Sequence, residues 1–304
     1  MNFFRKRSTP VENLTLIAIV AGIDGLFSLF SALLPLGALF LMFAIPLLSA
    51  LVAIFCKKGY YPIYIFVAAG VSLAVSAWEI TNTIFYLIPS LFTGGLYGIL
   101  IDRKVPSSIN IFVTSLLQFL LFIASLFLIK AIYGVDMEVV LLTFVNKGES
   151  PSAPIVFPLF GYAYALAQVT LAHLFAIISL THLGIEIPEE KNNIPMYPLF
   201  GFFFIAVALG FSFLSPTVGY VFLGFGIYWS IFAFSRLFDG VSIVSWIVFG
   251  ICAFIALILF AALYRKMPEY CGLLLIGLGF LAADISSFLH FLLLRKKRTD
   301  PTMK

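Results

Sequence analysis

Charge is what this sequence has least of. Asp, Glu, Lys and Arg make up 11% of its 304 residues, against roughly 25% in soluble domains. A soluble core cannot bury about ten apolar runs of twenty residues, so a soluble globular class is excluded. Polar–apolar alternation is missing as well. Leu33–Phe55 and Ile243–Leu263 are continuous apolar stretches, which excludes a transmembrane β-barrel. Cysteine is scarce: Cys56, Cys252 and Cys271 lie far apart and form no CxxC. They read as small buried hydrophobes, and no redox compartment follows from them.

Catalytic signatures are absent too. No HExxH is present to hold zinc and no GxSxG to present a nucleophile. Gly277-Leu278-Gly279 is followed by Phe280, so no GxGD of an intramembrane aspartyl protease forms, and Asp284 comes too late. Glu189-Glu190 lacks the later arginine of a prenyl-protease motif. No DDxxD stands ready for a magnesium diphosphate, and no Walker lysine follows a glycine-rich loop. An enzyme is not expected, nor a cofactor or a metal, and the chain has no ATPase of its own.

What is present is apolar length. Hydrophobic residues reach 62%, and the charges cluster between runs of about twenty residues, the length that crosses a hydrocarbon core. The expected fold class is all-α, a polytopic transmembrane helical bundle of about ten spans. These run near Leu14–Leu34, Ala38–Cys56, Pro62–Trp78, Ile84–Ile101, Ser108–Ala131, Ile155–His182, Met196–Leu214, Val218–Ser235, Val241–Tyr264 and Glu269–Leu294. Pro35-Leu36-Gly37, Lys57-Lys58-Gly59, Asp102-Arg103-Lys104 and Ser215-Pro216-Thr217 punctuate them. Arg5-Lys6-Arg7 before the first run imitates a signal peptide, but the run is too long and no small-x-small cleavage site closes it. It reads as a retained span.

The distribution of cations orients the set. With ten spans and a cytoplasmic N-terminus, the 18 Lys and Arg divide as fourteen inside and four outside. Arg265 and Lys266 violate the rule, and Lys130 and Lys147 share their side. The expectation is a multi-pass protein of the cell membrane with both termini cytoplasmic. The net charge of +4 belongs to loops held against anionic lipid, and nucleic acid is not an expected partner. The charged linker Glu186–Asn193 suggests two domains. Residues 1–190 would form a six-helix membrane bundle, and 191–304 a four-helix segment layered against it.

Polar residues inside apolar spans are the candidate functional positions, because burying them in lipid costs about 2.5–3.5 kcal/mol for an aspartate. Asp24 lies mid-span, with Ser28 and Ser31 on the same helix face. It should face protein or a cavity, with His173, Gln118 or Asp284 as partners. The candidate ligand-binding set is Asp24, Ser28, Glu79, Asn82, Gln118 and His173. Each has a plainer alternative: a helix–helix lock for Asp24, a solvated cap for Glu79 and Asn82, a packing histidine for His173. Asp284, with Ser287 and His290 one and two turns on, forms a similar stripe. Arg236 and Asp239 read as an interfacial anchor. Ala18, Gly22 and Gly25 form a small-residue face that suits internal packing or the docking of a partner subunit. Gly94-Gly95 and Gly98 carry the same ambiguity. Tyr60, Tyr61, Tyr64, Trp78, Tyr97, Tyr197 and Tyr220 fit an interfacial belt.

Leu14-Thr15-Leu16-Ile17-Ala18-Ile19-Val20-Ala21, the Pro35-Leu36-Gly37 break, Ile45-Pro46 and the glycine-rich fourth span resemble S components of energy-coupling-factor transporters. The whole chain is similar to a larger bacterial multi-pass family, the YybS-like predicted membrane proteins. The similarity continues into Leu275-Ile276-Gly277-Leu278-Gly279-Phe280-Leu281-Ala282-Ala283-Asp284 and the basic Arg295-Lys296. That family's aromatic–aspartate–arginine ending is here Ser287-Phe288-Leu289-His290. The resemblance implies a six-helix half with extra C-terminal helices. It also implies docking through Ala18, Gly22 and Gly25 onto a transporter coupling subunit or another membrane protein. The expected function is binding or helping to transport a small-molecule ligand. The alternative is a non-catalytic scaffold or regulator of envelope proteins.

Overall fold

The structure, a computed structural model, describes residues 5–34, 37–136, 139–140, 143, 153–185, 196–235, 243–267 and 269–299. The described residues are mostly helical, joined by short turns, with no strand among them. In chain order the long helices are α1 (Pro10–Leu33), α2 (Gly37–Phe55), α3 (Tyr61–Val75), α4 (Ala77–Asp102), α5 (Ser107–Tyr133), α6 (Ala153–His182), α7 (Met196–Phe211), α8 (Pro216–Ser235), α9 (Ile243–Tyr264) and α10 (Gly277–Thr299). Eight described helical stretches are long and apolar enough to cross a membrane; Ala44–Phe55 within α2 and α7 are shorter apolar helices. The protein is a polytopic all-α integral membrane protein. The expected break at Ser215-Pro216-Thr217 does separate two helices, α7 and α8. The linker Glu186–Asn193, Arg236 and Asp239 lie outside the described residues.

Local sequence explains the helix ends. α1 opens on a capping box: the Glu12 N–H donates to Thr9 Oγ1 at 3.3 Å, and the Thr9 N–H donates to Glu12 Oε2 at 3.2 Å. Pro10 takes the first helical position, where its missing N–H costs nothing. α5 closes on Gly134 at φ +69°, a left-handed cap that glycine adopts without strain. α10 begins after a 3₁₀ stretch, Glu269–Ile276, and continues through the basic residues to Thr299.

Prolines inside helices leave carbonyls without their usual donors, and two such gaps lie within α2 and α4. Pro46 lies inside α2, so the Met42 carbonyl, four residues earlier, loses its helical partner. α4 starts with a 3₁₀ turn, Ala77–Glu79, and passes through a π turn, Thr83–Leu87, before Pro89. There the Ile88 N–H bonds Thr83, and Pro89 has nothing to give Ile84. Side chains answer both gaps: Gln168 Nε2 donates to the Met42 carbonyl at 3.3 Å, and Ser125 Oγ to the Ile84 carbonyl at 3.2 Å.

The chain divides into two compact units, Met1–Leu141 with Ala163–Glu190, and Leu142–Tyr162 with Lys191–Lys304. The first unit thus contains α1–α5 and α6 from Ala163 onward. Its apolar core runs through Leu16, Ile17, Leu41, Ile45, Tyr64, Leu87, Leu91 and Leu180. α4 meets α2 through Gly94 and Gly98. A Cβ on Gly98 would stand 2.6 Å from the Ala50 carbonyl oxygen, and one on Gly94 would strike the Pro46 carbonyl. The second unit holds the first turns of α6 and α7–α10, with a core of Ala208, Tyr220, Leu223, Cys271 and Leu274. α9 buries only Ser245 and Ala256; its other side chains suit lipid, the one solvent that accepts such a surface.

Candidate functional site

The first unit carries two buried polar clusters. One is built on α1 and α3. Asp24 is fully buried, and its Oδ2 accepts a hydrogen bond from Tyr64 Oη at 2.7 Å. Ser49 Oγ of α2 lies 3.2 Å from the same phenol oxygen. One turn along, Ser28 Oγ donates to Ser72 Oγ at 2.9 Å, and Ser76 Oγ donates to the Ser72 carbonyl at 2.6 Å. Asn82 Nδ2 reaches the Ser31 carbonyl and hydroxyl oxygens, each at 3.4 Å. Tyr64, Ala68 and Ser72 recur every fourth residue and form the buried face of α3. Gly25 lets that face come close: a Cβ there would sit 2.6 Å from Val71 Cγ1. Asp24 Oδ1 has no hydrogen-bond partner.

Asp24 therefore faces protein, as its insertion cost required. The expected partners were wrong, however. Asp24 bonds Tyr64, while His173 pairs with Tyr97, Gln118 with Gln168 and Asp284 with Ser230. Tyr64 was placed in an interfacial belt, and so were Tyr97, Tyr197 and Tyr220; all four are buried. Their ring bulk and single hydroxyl suit a core with polar groups to satisfy as well as they suit a membrane interface. Trp78 is exposed, as a belt residue would be.

The second cluster joins α2, α4, α5 and α6. Gln118 Nε2 donates to Gln168 Oε1 at 2.9 Å, and Gln168 Nε2 reaches Ser90 Oγ at 3.4 Å as well as the Met42 carbonyl freed by Pro46. Tyr97 Oη and His173 Nδ1 are 2.6 Å apart, with either group able to donate. Asn110 Nδ2 donates to the Tyr97 carbonyl at 3.4 Å, and Thr114 Oγ1 donates to Asn110 Oδ1 at 3.0 Å. Pro46, Thr93, Tyr97, Thr114, Gln168, Val169 and Ala172 surround a small gap of about 10 Å³, room for about one water molecule. Gln118 Oε1 is buried without a partner. Among these residues there is no carboxylate, lysine or arginine. Nearly all of their hydrogen-bonding capacity is spent on one another and on backbone carbonyls.

The six candidate ligand residues thus do not converge on one place. Asp24 and Ser28 sit in the α1–α3 cluster, with Asn82 at its end; Gln118 and His173 belong to the α5–α6 cluster; Glu79 is exposed in the opening turn of α4. Sequence reading missed Ser49, Ser72, Ser90 and Thr114. Their one advance signal was helical phase with a neighbour, as in Tyr64–Ser72. The small-residue face also divides. Gly25 is buried against α3, whereas Ala18 and Gly22 are exposed, and a Cβ on Gly22 would meet nothing within 4 Å.

In the second unit, Asp284 Oδ2 and Ser230 Oγ are 2.8 Å apart, Ser287 Oγ donates to the Ala233 carbonyl at 2.7 Å, and His290 Nδ1 lies 3.0 Å from Ser245 Oγ. The stripe on α10 is therefore used for bonding to α8 and α9. Cys56 and Cys271 are buried free thiols directed at the Asn13 and Ser212 carbonyls, and Cys252 is half-buried. Among the described residues no group of three His, Cys, Asp or Glu could hold a metal ion.

No family model, curated protein or solved structure matches the chain.

Proposed function

We propose that this integral membrane protein binds, or helps to transport, a small polar molecule, and does so without catalysis or an ATPase of its own. One observation supports the reading: Thr93, Tyr97, Thr114 and Gln168 gather around one small gap between the helices, and Gln118, bonded to Gln168, holds an unused buried acceptor that a ligand group could satisfy. Buried polar groups in a bilayer are costly unless they bond each other or a ligand. The likeness to S components points the same way. It makes a coupling subunit or another membrane protein the candidate partner, with exposed Ala18 and Gly22 as the docking face. Purification of the full chain followed by native mass spectrometry tests the proposal. A co-purifying small molecule lost on Gln168→Leu supports it; an empty wild type that takes up no mass from a metabolite extract refutes it.

The size of that cavity favours a second reading. Small-molecule pockets span roughly 300–1,000 Å³, whereas this gap holds about 10 Å³, close to a single water molecule. A scaffold or regulator of envelope proteins needs filled packing rather than a chamber. Empty preparations with stable co-purifying proteins would select it.

The proposed location is the cell membrane with both termini cytoplasmic. Within the first unit, Lys6 pairs with Asp102 at 2.6 Å and the Arg7 N–H bonds the Phe55 carbonyl at 2.8 Å. These contacts gather the N-terminal cations, Lys57-Lys58 and Arg103-Lys104 at one end of the bundle, as the positive-inside rule requires of a cytoplasmic face. Reporter fusions after Lys58, Lys104, Glu190 and Arg298 should all read cytoplasmic; an external signal after Lys104 would overturn the orientation.

A further inference from the structure

Asp284 stands at the centre of the second unit's helix contacts and is 1% exposed. Among the described residues the helices packed on it offer no counter-ion. Neither Met196–Phe211, Pro216–Ser235 nor Ile243–Tyr264 contains a single Asp, Glu, Lys or Arg, and the stretch Ala153–Tyr162 contains none either. The titratable groups of these packed helices are tyrosines and Cys252; Tyr197 stacks on Trp229, and Tyr228 meets the same ring edge-on. On α10 itself, His290 is nearly two turns away and engaged with Ser245. On α7 the backbone comes right up to the carboxyl group, since a Cβ on Gly201 would stand 2.5 Å from Oδ1 and 2.6 Å from Oδ2. The backbone N–H groups of a helix interior are already used, so α7 brings proximity without a donor.

Hydrogen counting then decides the chemistry. Ser230 Oγ lies 2.8 Å from Asp284 Oδ2 and 2.9 Å from the Gly226 carbonyl oxygen. A carbonyl only accepts, an ionised carboxylate only accepts, and a serine hydroxyl has one hydrogen. With Asp284 ionised, one of the two contacts would hold two acceptors and no hydrogen. We infer that Asp284 is a proton-binding site: its Oδ2 carries a proton donated to Ser230 Oγ, and the Ser230 hydrogen goes to the Gly226 carbonyl. Oδ1, which has no hydrogen-bond partner, is then the carbonyl oxygen of a neutral acid, which tolerates that position far better than a charged oxygen would. Loading is a single addition of a proton from water to the carboxylate, with no other bond made or broken. Unloading leaves a charge that nothing on α6–α9 neutralises, so it requires water or a cation to enter between α7, α8 and α10. Proton occupancy and the close packing of these helices are thereby one coupled event. This site is separate from the ligand cavity proposed for the first unit and stands or falls without it.

Infrared difference spectroscopy on the purified full-length protein at neutral pH tests it. The wild type should show the carbonyl stretch of a neutral carboxylic acid that Asp284→Asn removes and Asp24→Asn leaves in place. Ser230→Ala should shift that band, because the acid loses its hydrogen-bond acceptor. Loss of carboxylate bands instead, or identical spectra for wild type and Asp284→Asn, would overturn the inference. If Asp284→Asn does not fold, Ser230→Ala decides alone: a shifted acid band supports the site, and an unchanged spectrum refutes it.

Discussion

Each unit buries one aspartate against a hydroxyl on another helix, and the two hydroxyls differ in a way that matters. Tyr64 gives its hydrogen to Asp24, and Ser49 stands within 3.2 Å to give one to Tyr64. Two contacts share two hydrogens, so that chain closes without a proton on the carboxyl group. Ser230 has one hydrogen for Asp284 and Gly226 together, so its chain closes only when the acid supplies another. The same residue type, equally buried, therefore has different chemistry, set by what stands behind its partner. Both groups leave one oxygen unbonded, and that shared feature makes them comparable.

The largest expected effect probes the packing that frames both clusters. Gly94→Val would drive a branched side chain into the Pro46 carbonyl and Ser49 Cβ, and should cost about 3 kcal/mol, the upper part of the overpacking range. The thermal midpoint of the purified protein in detergent measures it, and a midpoint equal to wild type would show that the α2–α4 contact yields easily. Asp24→Leu comes next. It strands the Tyr64 hydroxyl in the core and should cost about 2 kcal/mol, read by the same melt; an unchanged melt would mean that the phenol finds another acceptor.

The two asparagine substitutions compare the units directly. Asp284→Asn places an amide hydrogen where the inferred acid proton sits, leaving one new hydrogen without an acceptor. Asp24→Asn keeps an acceptor for Tyr64 but leaves two. The Asp24 variant should be the less stable, by roughly 1 kcal/mol, near the cost of one unsatisfied buried group. Equal melts, or the reverse order, would break the distinction between the aspartates. The smallest effect belongs to Gly22→Ala. With nothing within 4 Å of the new methyl group, stability should stay within about 0.5 kcal/mol of wild type. If the face docks a partner subunit, the same change reduces co-purification of that subunit; a destabilised protein would instead show that Gly22 is an internal packing position.

Much of the architecture was legible because lipid imposes simple rules. Span length, the helix break at Pro216 and the inward placement of Asp24 all follow from local propensity and the cost of polar groups in hydrocarbon, whereas α1 begins at Pro10, earlier than the expected Leu14, because Thr9 and Glu12 cap it. The partners were not legible. Tyr64 could have been a belt residue or a donor in the core, since its composition and position suit both. Gln168 stood near His173 in the sequence, yet its role depends on Pro46 having freed a carbonyl on a helix more than a hundred residues earlier.

The sequence by itself determined that this is a polytopic helical membrane protein with few places where charge can hide. That much is additive, summed residue by residue from transfer free energies and helix geometry. Only the tertiary structure decided which hydroxyl faces which carboxyl group, that the small-residue face of α1 splits between a buried Gly25 and exposed Ala18 and Gly22, and that Ser230 is short of one hydrogen. Hydrogen bonds act over about 3 Å, and a reach that short is set by helix phase and packing between distant segments, which no local pattern in the chain encodes.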